Sequence, residues 1–337
     1  MKIVQVATGL ISIPPNGWGA VERIIWEYAS NLQLMDIDVE IKNWNDVVYE
    51  ENTIVHCHMY NTALDMRDKG IPYIYSLHDH HAEWYGKDSG VYKNNLEAIK
   101  GSVISICHSK HIIGYFDGTD KLFYLPHGVN TDFFRPILPD VRTKKKLLMI
   151  CNNGLAGDPS IDRKGFRIAI EVAKKYNLPI TIAGPESNHA FFEHHKDLLE
   201  YDKLTLKLTN PTDNETLELY QTHSIFMAPS FLEYGHPNLS ILEAMSCGLP
   251  IVGTCNVDVP GMYRMKDVSL EEAVKGLVIL DTQWYRYYHN QLEQRENHSW
   301  FQVCKQLKKF YNAASIVNKK WTSDDTTNAY INAYYGL

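Results

Sequence analysis

The stretch PSFLEYGHPNLSILEAMSCGLPIVGT, residues 229–254, carries two glutamates, Glu233 and Glu243, around a loop that follows a strand-like run. Its pattern predicts the end of a strand, a loop, a helix and a new strand. Asn238 is suited to cap that helix and Gly248 to end it. Carboxylates at these places can accept hydrogen bonds from a ligand that carries several hydroxyl groups.

Glu243 lies among the positions that are predicted to form the buried face of this helix, namely Leu239, Leu242 and Met245. An unpaired buried carboxylate is costly. Glu243 is therefore expected either to pair inside the protein or to accept hydrogen bonds from a ligand such as a ribose. The cost of burial favours the ligand.

The segment DRKGFRIAIEVAKK places Arg163 and Lys164 beside Gly165 at the start of a predicted helix. Two cations, a helix dipole and free backbone amides together suit a diphosphate. The alternative interpretation is a solvated basic turn, and the position of the segment after a strand favours the phosphate site.

A glycine loop near the amino terminus, GLISIPPNGWGAVERIIWEYA, contains Gly17 and Gly19 before a helix that should begin near Ala20. Glycines let backbone amides approach a ligand, and a helix amino terminus favours negative charge. The spacing is not that of a dinucleotide-binding loop, so a simple tight turn is an equal alternative.

Histidines follow two strand-like runs of the first half, and His78 stands with Asp79 directly after the run YIYSL. Their number raises the hypothesis of a metal site that would include His56, His58, His80 and His81. Ordinary core or surface histidines are commoner than metal ligands, so no metal is expected. A histidine at a strand end can still donate to a substrate hydroxyl or phosphate.

The elements that must position these residues alternate between apolar runs such as KIVQVA and amphipathic runs such as VERIIWEYASNLQ. This alternation predicts βαβ units with parallel sheets. It breaks at NTDFFRPILPDVRTKKK and then restarts. Two doubly wound α/β domains are therefore predicted, over residues 1–137 and 145–300, followed by a helical segment at 301–337 that is a candidate to pack back on the first domain.

Composition agrees with two domains, because 337 residues exceed what one core usually organises. A net charge of -7 disfavours a protein whose whole surface binds nucleic acid, and the basic strip at residues 142–146 is interpreted as a linker.

No signal peptide and no membrane-spanning run is predicted. The scattered cysteines have no metal-site spacing and are expected to be reduced core thiols of a cytoplasmic protein. They are Cys57, Cys107, Cys151, Cys247, Cys255 and Cys304.

In one order along the chain, IPPNGWGAVER, YSLHD, LPHGVNTDFFRP, RKGF, ITIAGP and the stretch at residues 229–254 resemble the motifs of the GT4-like glycosyltransferases, glycosyltransferase group 1. The resemblance covers nearly the whole chain. It implies the GT-B fold, in which two Rossmann-like doubly wound domains face each other across a cleft. The first domain would serve the acceptor and the second the nucleotide sugar.

The resemblance implies a retaining enzyme that moves a sugar from a nucleoside-diphosphate sugar, such as a UDP-sugar, to an acceptor hydroxyl without metal or cofactor. It assigns Glu243 to the ribose, Lys164 to the diphosphate, Glu233 to the sugar ring and His78 to a place beside the transferred sugar. His78, Glu233 and Lys164 are thus the catalytic candidates. The residues expected to bind the donor are Gly17, Gly19, Arg163, Lys164, Gly235, Asn238, Leu239 and Glu243.

Two departures from the family pattern matter. The arginine expected after the first strand of the second domain is replaced by Asn152 and Asn153, and Arg163 is the candidate to compensate. The two anchors of the family signature also disagree by two residues, since counting forward from Ser230 puts the first glutamate position at Glu233 and counting back from Glu243 puts it at Gly235.

The acceptor is left open between a glycan, a lipid reached by peripheral membrane contact and a modified DNA base. The LHDHH segment resembles phage α-glucosyltransferases that act on hydroxymethylated cytosine, although the acidic net charge weighs against DNA. A further alternative is a non-catalytic nucleotide- or sugar-binding module, which the presence of Lys164 and Glu243 disfavours.

Overall fold

The computed structural model describes residues 1–17, 19–78, 85–116, 119–137, 145–153, 158–231, 237–255 and 257–319, the last four by their backbone only. The chain divides into two compact units. The first comprises Met1–Pro15, Gly19–His127 and the helix that begins at Trp300. The second comprises Gly128–Ser299 together with Asn16 and Gly17.

The first unit contains a parallel six-stranded sheet in the order β2-β1-β3-β4-β5-β6. Its strands are β1 (Lys2–Ala7), β2 (Asp38–Asn43), β3 (Thr53–Cys57), β4 (Tyr73–Leu77), β5 (Ile104–Cys107) and β6 (Leu122–Tyr124). The helices described beside it are α1 (Ala20–Gln33), α2 (Tyr60–Asp68), α3 (Gly90–Gly101) and α4 (Lys110–Tyr115).

The second unit contains another parallel six-stranded sheet, in the order β12-β11-β10-β7-β8-β9. Its strands are β7 (Leu147–Ile150), β8 (Ile180–Ala183), β9 (Leu204–Lys207), β10 (Ile225–Ala228), β11 (Ile251–Gly253) and β12 (Met262–Arg264). Its described helices are α5 (Phe166–Tyr176), α6 (His189–His194), α7 (Asp213–Thr222), α8 (Leu239–Ser246) and α9 (Leu270–Gln294). Short 3-10 helices of the chain lie at Trp44–Asp46, Glu186–Asn188, Lys196–Glu200 and Arg295–His298.

The central strands are buried and mostly apolar, as expected for parallel strands covered by helices on both faces, although those of the first sheet also bury polar residues such as His56 and Ser76. Every residue of β3, β4 and β10 is buried. Helix α5 shows the matching helical spacing, since Phe166, Ala169, Ile170 and Ala173 are buried together against the second sheet. The predicted alternation of strands and helices is thus what builds both units.

The boundaries between the two units lie at Gly128 and Trp300, whereas the sequence predicted domains that end at residue 137, begin at residue 145 and end at residue 300. The second unit begins at Gly128, because Val129 and Phe134 of the segment GVNTDFF pack into its core. The final helix, α10 (Trp300–Lys319), is grouped with the first unit, where the Trp300 ring lies 5.7 Å from that of Tyr28. Residues 320–337 of the predicted terminal segment lie outside the described residues.

The six cysteines form no disulfide, and all but the half-buried Cys151 are buried. Burial raises the thiol pKa of five of them, to about 12 for Cys151, which favours the protonated thiol; the five are Cys57, Cys107, Cys151, Cys255 and Cys304. Within the described ranges, no helix is long and apolar enough to cross a membrane.

Candidate functional site

The strand order of the second sheet reverses between β7 and β10, which are hydrogen-bonded neighbours although the strands β8 and β9 separate them in the chain. Ligands of open parallel sheets bind at such a switch point, beyond the carboxyl ends of the strands. Asn152 and Asn153 follow β7, and Pro229 and Ser230 follow β10. The residues at these two strand ends therefore frame the candidate site.

Asn153 organises the loop that reaches the switch point. Its Oδ1 accepts hydrogen bonds from the backbone amides of Arg163 at 2.9 Å and Lys164 at 3.3 Å. Its Nδ2 donates to the Ile161 carbonyl at 2.8 Å, and its own amide donates to Asn188 Oδ1 at 2.9 Å. One buried side-chain amide thus holds the backbone of both basic residues near the end of β7.

The Arg163 side chain contacts the two asparagines that follow β7. Its Nε donates to the Asn153 carbonyl at 3.1 Å and its Nη2 to the Asn152 carbonyl at 2.7 Å. The side chain is only 6% exposed. The fold therefore brings a guanidinium to the loop after β7 from ten residues farther along the chain, and its compensation for the missing arginine stays a prediction.

Lys164 is 7% exposed and lies beside this guanidinium. Burial, together with the positive charge of Arg163, lowers the pKa of its ammonium to about 7, while Cys151 opposes the shift. Two neighbouring cations in a buried place favour an anionic ligand, because a nearby negative charge stabilises the protonated lysine.

Gly165 allows the basic loop to approach the end of β10. Its φ is +77°, and a Cβ there would lie 2.2 Å from the Pro229 carbonyl oxygen. The carbonyl of Arg163 also accepts hydrogen bonds from the Phe231 amide at 2.9 Å and from Ser230 Oγ at 3.3 Å. Only glycine combines this conformation with such a close backbone contact.

Asp162 corrects one part of the prediction for this loop. The sequence suggested free backbone amides at the start of α5, but the Asp162 carboxylate accepts those of Gly165 and Phe166 at 2.8 Å and that of Arg167 at 2.9 Å. A carboxylate just before a helix can satisfy these donors from within the chain. The attraction for a phosphate must therefore come from the side chains of Arg163 and Lys164.

Helix α8 is capped as predicted, because Asn238 Oδ1 accepts hydrogen bonds from the Ile241 amide at 3.0 Å and from Ser240 Oγ at 2.8 Å. Leu239, however, was wrongly placed on the buried face. It is half-buried and lies one turn before the half-buried Glu243, so the two share a partly accessible face. The buried positions are Ile241, Leu242, Ala244, Met245 and Ser246.

Glu243 is held by Tyr220 of helix α7. The Tyr220 hydroxyl lies 2.9 Å from Glu243 Oε2 and 3.1 Å from the Ser240 carbonyl, and it donates to these acceptors. Burial and the charge of Glu243 raise the pKa of Tyr220 well above 10, so the hydroxyl keeps its proton. The two expectations for Glu243 are compatible, since it is paired inside the protein and still partly exposed.

The glycine loop of the amino terminus precedes α1, which begins at Ala20 as predicted. Gly17 has a φ of +81° and Gly19 a φ of +136°. A Cβ at Gly19 would lie 3.0 Å from Pro15 Cβ and 3.3 Å from Glu22 Oε2, and that carboxylate also accepts a hydrogen bond from the Thr8 hydroxyl. Each glycine therefore adopts a conformation that other residues rarely reach.

His78 follows β4 directly and is half-buried, which agrees with its predicted place at a strand end. Its Nε2 lies 2.9 Å from Nδ1 of His58, and their rings are stacked. Among the described residues, no group of three histidine, cysteine or carboxylate side chains is arranged to hold a metal ion. His80 and His81 lie outside the described residues.

Residues 232–236 also lie outside the described residues, and with them Glu233 and Gly235. Their assignment to the first glutamate position stays a prediction.

The sequence reasoning missed Asn153, Asp162 and Tyr220. Asp162 could have been found as a residue type that caps helices just before a predicted one. No local pattern pointed to Tyr220, because its partner Glu243 lies on a different helix.

Parts of the sequence are similar to known proteins. Residues 157–282 match the family model described as Glycosyl transferases group 1. Over 159 residues the chain is 30% identical to a probable sucrose-phosphate synthase of Thermosipho melanesiensis. The similarity covers 44% of this chain and 36% of that protein, so the chain spans little more than a third of this relative.

Solved structures share the fold over almost the whole chain. Anabaena HepE in complex with UDP and glucose has a TM-score of 0.69 at 13% identity, covering 93% of this chain and 99% of that one. The catalytic domain of starch synthase IV from Arabidopsis thaliana, bound to ADP and acarbose, has a TM-score of 0.67 at 11% identity, covering 94% and 99%. These similarities confirm the GT-B fold class, and the family match confirms the resemblance to glycosyltransferase group 1.

Proposed function

We propose that this protein is a retaining glycosyltransferase that moves a sugar from a nucleoside-diphosphate sugar to an acceptor hydroxyl. The observation that carries the proposal is the pair of buried cations, Arg163 and Lys164, at the switch point of the second sheet. Both lie within the segment that matches Glycosyl transferases group 1. A diphosphate is the ligand that this pair suits best.

The donor lies along the face of α8 that carries Leu239 and Glu243. The Glu243 carboxylate, oriented by Tyr220, accepts hydrogen bonds from the two ribose hydroxyls. UDP is the proposed nucleotide, because the structural relatives include a complex of HepE with UDP and glucose. Asn238 holds the start of the helix on which these contacts depend.

The reaction breaks the bond between the anomeric carbon and the diphosphate oxygen and forms a bond from that carbon to the acceptor oxygen. The acceptor proton passes to the departing phosphate. The main catalytic demand is the stabilisation of the leaving diphosphate, which Lys164 and Arg163 supply as fixed charges without a metal. His78 and Glu233 are proposed to contact the transferred sugar, and the amides of Gly17 and Gly19 to face the phosphate or the reacting centre.

A thermal-shift screen tests the donor site, because a ligand that binds only the folded state raises the melting temperature. UDP, GDP and ADP, each free and with attached sugars, are compared at equal concentration. We expect one nucleoside diphosphate to raise the melting temperature of the wild type, and Lys164→Ala to reduce the shift. Lys175→Ala, which removes an exposed lysine from the same unit, is the matched control. The absence of any shift with all nucleotides would contradict the proposal.

Product analysis tests the chemistry once the donor is known. We expect the anomeric configuration of the donor sugar to be kept in the product, and turnover to continue in the presence of a chelator. Inversion of configuration would contradict the retaining assignment, and loss of turnover with the chelator would contradict metal independence.

The acceptor panel contains glycans, lipid-linked sugars and DNA with hydroxymethylated cytosine, and we propose a carbohydrate hydroxyl as the acceptor. Salt-dependent retention on DNA would instead favour the modified base.

A further inference from the structure

Two buried asparagines connect the ends of strands β7 and β8 with the basic loop at Arg163 and Lys164. Asn188, in the short helix after β8, donates through Nδ2 to the Cys151 carbonyl at 2.8 Å and accepts the Asn153 amide through Oδ1 at 2.9 Å. Asn153 in turn accepts the amides of Arg163 and Lys164 through its own Oδ1. The two asparagines are 1% and 6% exposed.

Backbone partners identify the oxygen and the nitrogen of both side-chain amides. A peptide N–H can only donate and a peptide carbonyl can only accept. Oδ1 of Asn153 is therefore the atom that faces the two amides, and its Nδ2 faces the Ile161 carbonyl at 2.8 Å. The same rule orients Asn188 between an amide and a carbonyl. Each asparagine has one orientation that satisfies its partners.

Gly184, the residue directly after β8, leaves the space in which Asn188 reaches the end of β7. A Cβ at Gly184 would lie 2.3 Å from the Cys151 carbonyl oxygen and 2.6 Å from Asn188 Nδ2. A side chain there would displace one of the two atoms that this hydrogen bond joins. The end of β8 is thus shaped for the contact between Asn188 and Cys151.

The loop accepts backbone amides with a carboxylate at one place and with a neutral amide at another. Asp162 accepts three amides at the start of α5, whereas Asn153 accepts the amides of the two cationic residues. A carboxylate could accept those two amides as well, and hydrogen bonds to a charged acceptor are stronger. It would also add a negative charge beside both cations, and that charge would repel a diphosphate at short range.

We propose that Asn153 and Asn188 are positioning residues of the donor site, which fix the backbone of the two cationic residues with uncharged amides, so that no negative charge is added where the diphosphate binds. The proposal rests on the proposed function, because that function places the diphosphate at Arg163 and Lys164. It adds that the neutrality of residue 153 sets the affinity for phosphate groups. The bond from Asn153 to the Ile161 carbonyl is a purely structural reason for the same amide, and the experiment has to separate the two.

Two substitutions of Asn153 separate charge from geometry. Asn153→Asp keeps an oxygen for the two backbone amides, loses the bond to Ile161 and adds a charge, whereas Asn153→Ala loses every side-chain contact and adds none. The ligands are UDP, or the nucleoside diphosphate that the thermal-shift screen selects, and its nucleoside. We expect calorimetric titration to show an increase of about tenfold or more in the dissociation constant of the diphosphate for Asn153→Asp, and a smaller increase for Asn153→Ala.

The nucleoside alone should bind to Asn153→Asp as it binds to the wild type. A structural role would give the opposite order, because the aspartate variant keeps more contacts than the alanine variant. Weaker diphosphate binding by Asn153→Ala than by Asn153→Asp would therefore overturn the proposal. An equal loss of affinity for the nucleoside and for its diphosphate in Asn153→Asp would overturn it too.

Asn177→Asp is the matched control. It makes the same change from amide to carboxylate at an exposed residue of the same unit, after the other end of α5. We expect wild-type affinity for the diphosphate from this variant. A loss as large as that of Asn153→Asp would overturn the proposal, because the net charge of the unit, and not residue 153, would then set the affinity.

Asn188→Asp is the second variant, for the case that Asn153→Asp does not fold. It keeps the acceptor for the Asn153 amide and places the charge one hydrogen bond farther from the cations. We expect a loss of diphosphate affinity of about threefold, larger than that of Asn188→Ala. The reverse order of these two variants would overturn the proposal.

Inorganic pyrophosphate is a probe that depends neither on the nucleoside nor on turnover. We expect the wild type to bind it more tightly than Asn153→Asp does, and the difference to shrink as salt is added. Equal affinities at low salt would overturn the proposal. If pyrophosphate shows the difference but no nucleotide binds and no sugar is transferred, the proposed function fails and the role of Asn153 stands. If the wild type binds neither pyrophosphate nor any nucleoside diphosphate, both fail.

Discussion

The Tyr220 hydroxyl contacts Glu243 Oε2 at 2.9 Å from a ring that is completely buried. The tyrosine cannot follow the carboxylate into solvent, so the bond fixes the orientation of a half-exposed glutamate. A contact between helices α7 and α8 thus orients the carboxylate that we propose as the acceptor for the ribose.

Removal of this hydroxyl should weaken donor binding. For Tyr220→Phe we expect a dissociation constant about fivefold higher for every donor of the same nucleoside, which corresponds to about 1 kcal/mol for one hydrogen bond. Calorimetric titration measures it. Tyr201→Phe is the control, because Tyr201 in the same unit donates only to backbone carbonyls. Unchanged affinity in Tyr220→Phe would show that Glu243 needs no orientation.

The two glutamates should respond differently to the same substitution. Glu243→Gln should raise the dissociation constant of free and sugar-linked nucleotide alike, by about tenfold, because it loses the charged acceptor for the ribose. Glu233→Gln should change the ranking among donor sugars while the free nucleotide binds as before. Turnover with two donor sugars and nucleotide titration of both variants measure this. Wild-type behaviour of Glu233→Gln would remove Glu233 from the sugar site.

Lys164→Ala should weaken diphosphate binding more than it affects folding. Loss of a charge-assisted contact should cost about 1.5–3 kcal/mol, or about 10- to 150-fold in affinity. Titration with the nucleoside diphosphate and with the nucleoside alone isolates the phosphate contribution. If both ligands lose the same affinity, Lys164 does not contact the diphosphate.

The lowered pKa of Lys164 should make stability depend on pH in a defined direction. In the folded protein the pKa is about 7, whereas an unfolded lysine titrates near about 10.4. Between these values the unfolded chain holds a proton that the folded protein lacks, so this group makes the free energy of unfolding rise with pH. Below pH 7 both states are charged and the full cost of the buried charge remains. Lys164→Met should therefore gain stability relative to wild type at pH 6 and lose part of that advantage by pH 9, as urea unfolding at both pH values can show.

His78→Ala should lower turnover by about 100-fold or more and leave nucleotide affinity nearly unchanged, because the ring is proposed to contact the sugar. Single-turnover rates and nucleotide titration separate the two effects. His111→Ala, a histidine of helix α4 in the same unit, serves as the control. A fall in nucleotide affinity without a fall in the rate per bound donor would place His78 elsewhere.

The sequence by itself determined the features that depend on neighbours along the chain. The alternation of apolar and amphipathic runs predicted both parallel sheets, because strand and helix periods are local properties. The Asn238 cap, the start of α1 near Ala20 and the helix after Gly165 were predicted for the same reason. The position of His78 after a strand was also visible in the order of residues.

Only the tertiary structure decided which of these residues meet. Arg163 reaches the loop after β7 because Gly165 passes close to Pro229, and β7 and β10 are neighbours only in the folded sheet. Leu239 was misplaced, because the buried side chains of α8 begin only at Ile241 and the first turn of the helix stays partly exposed. The segment at Trp300 joins the first unit for a similar reason, since its partner Tyr28 lies far away in sequence.

The partners of two sets of polar hydrogen bonds also lie far apart in the sequence. Glu243 and Tyr220 lie on different helices, and Gln5, His58 and Tyr311 come from opposite ends of the chain. Local patterns can indicate that a side chain is polar and buried, but its partner depends on strand order and helix packing. These are set by the burial of whole faces against one another, and the free energy of that burial is shared among residues that no short stretch of sequence contains.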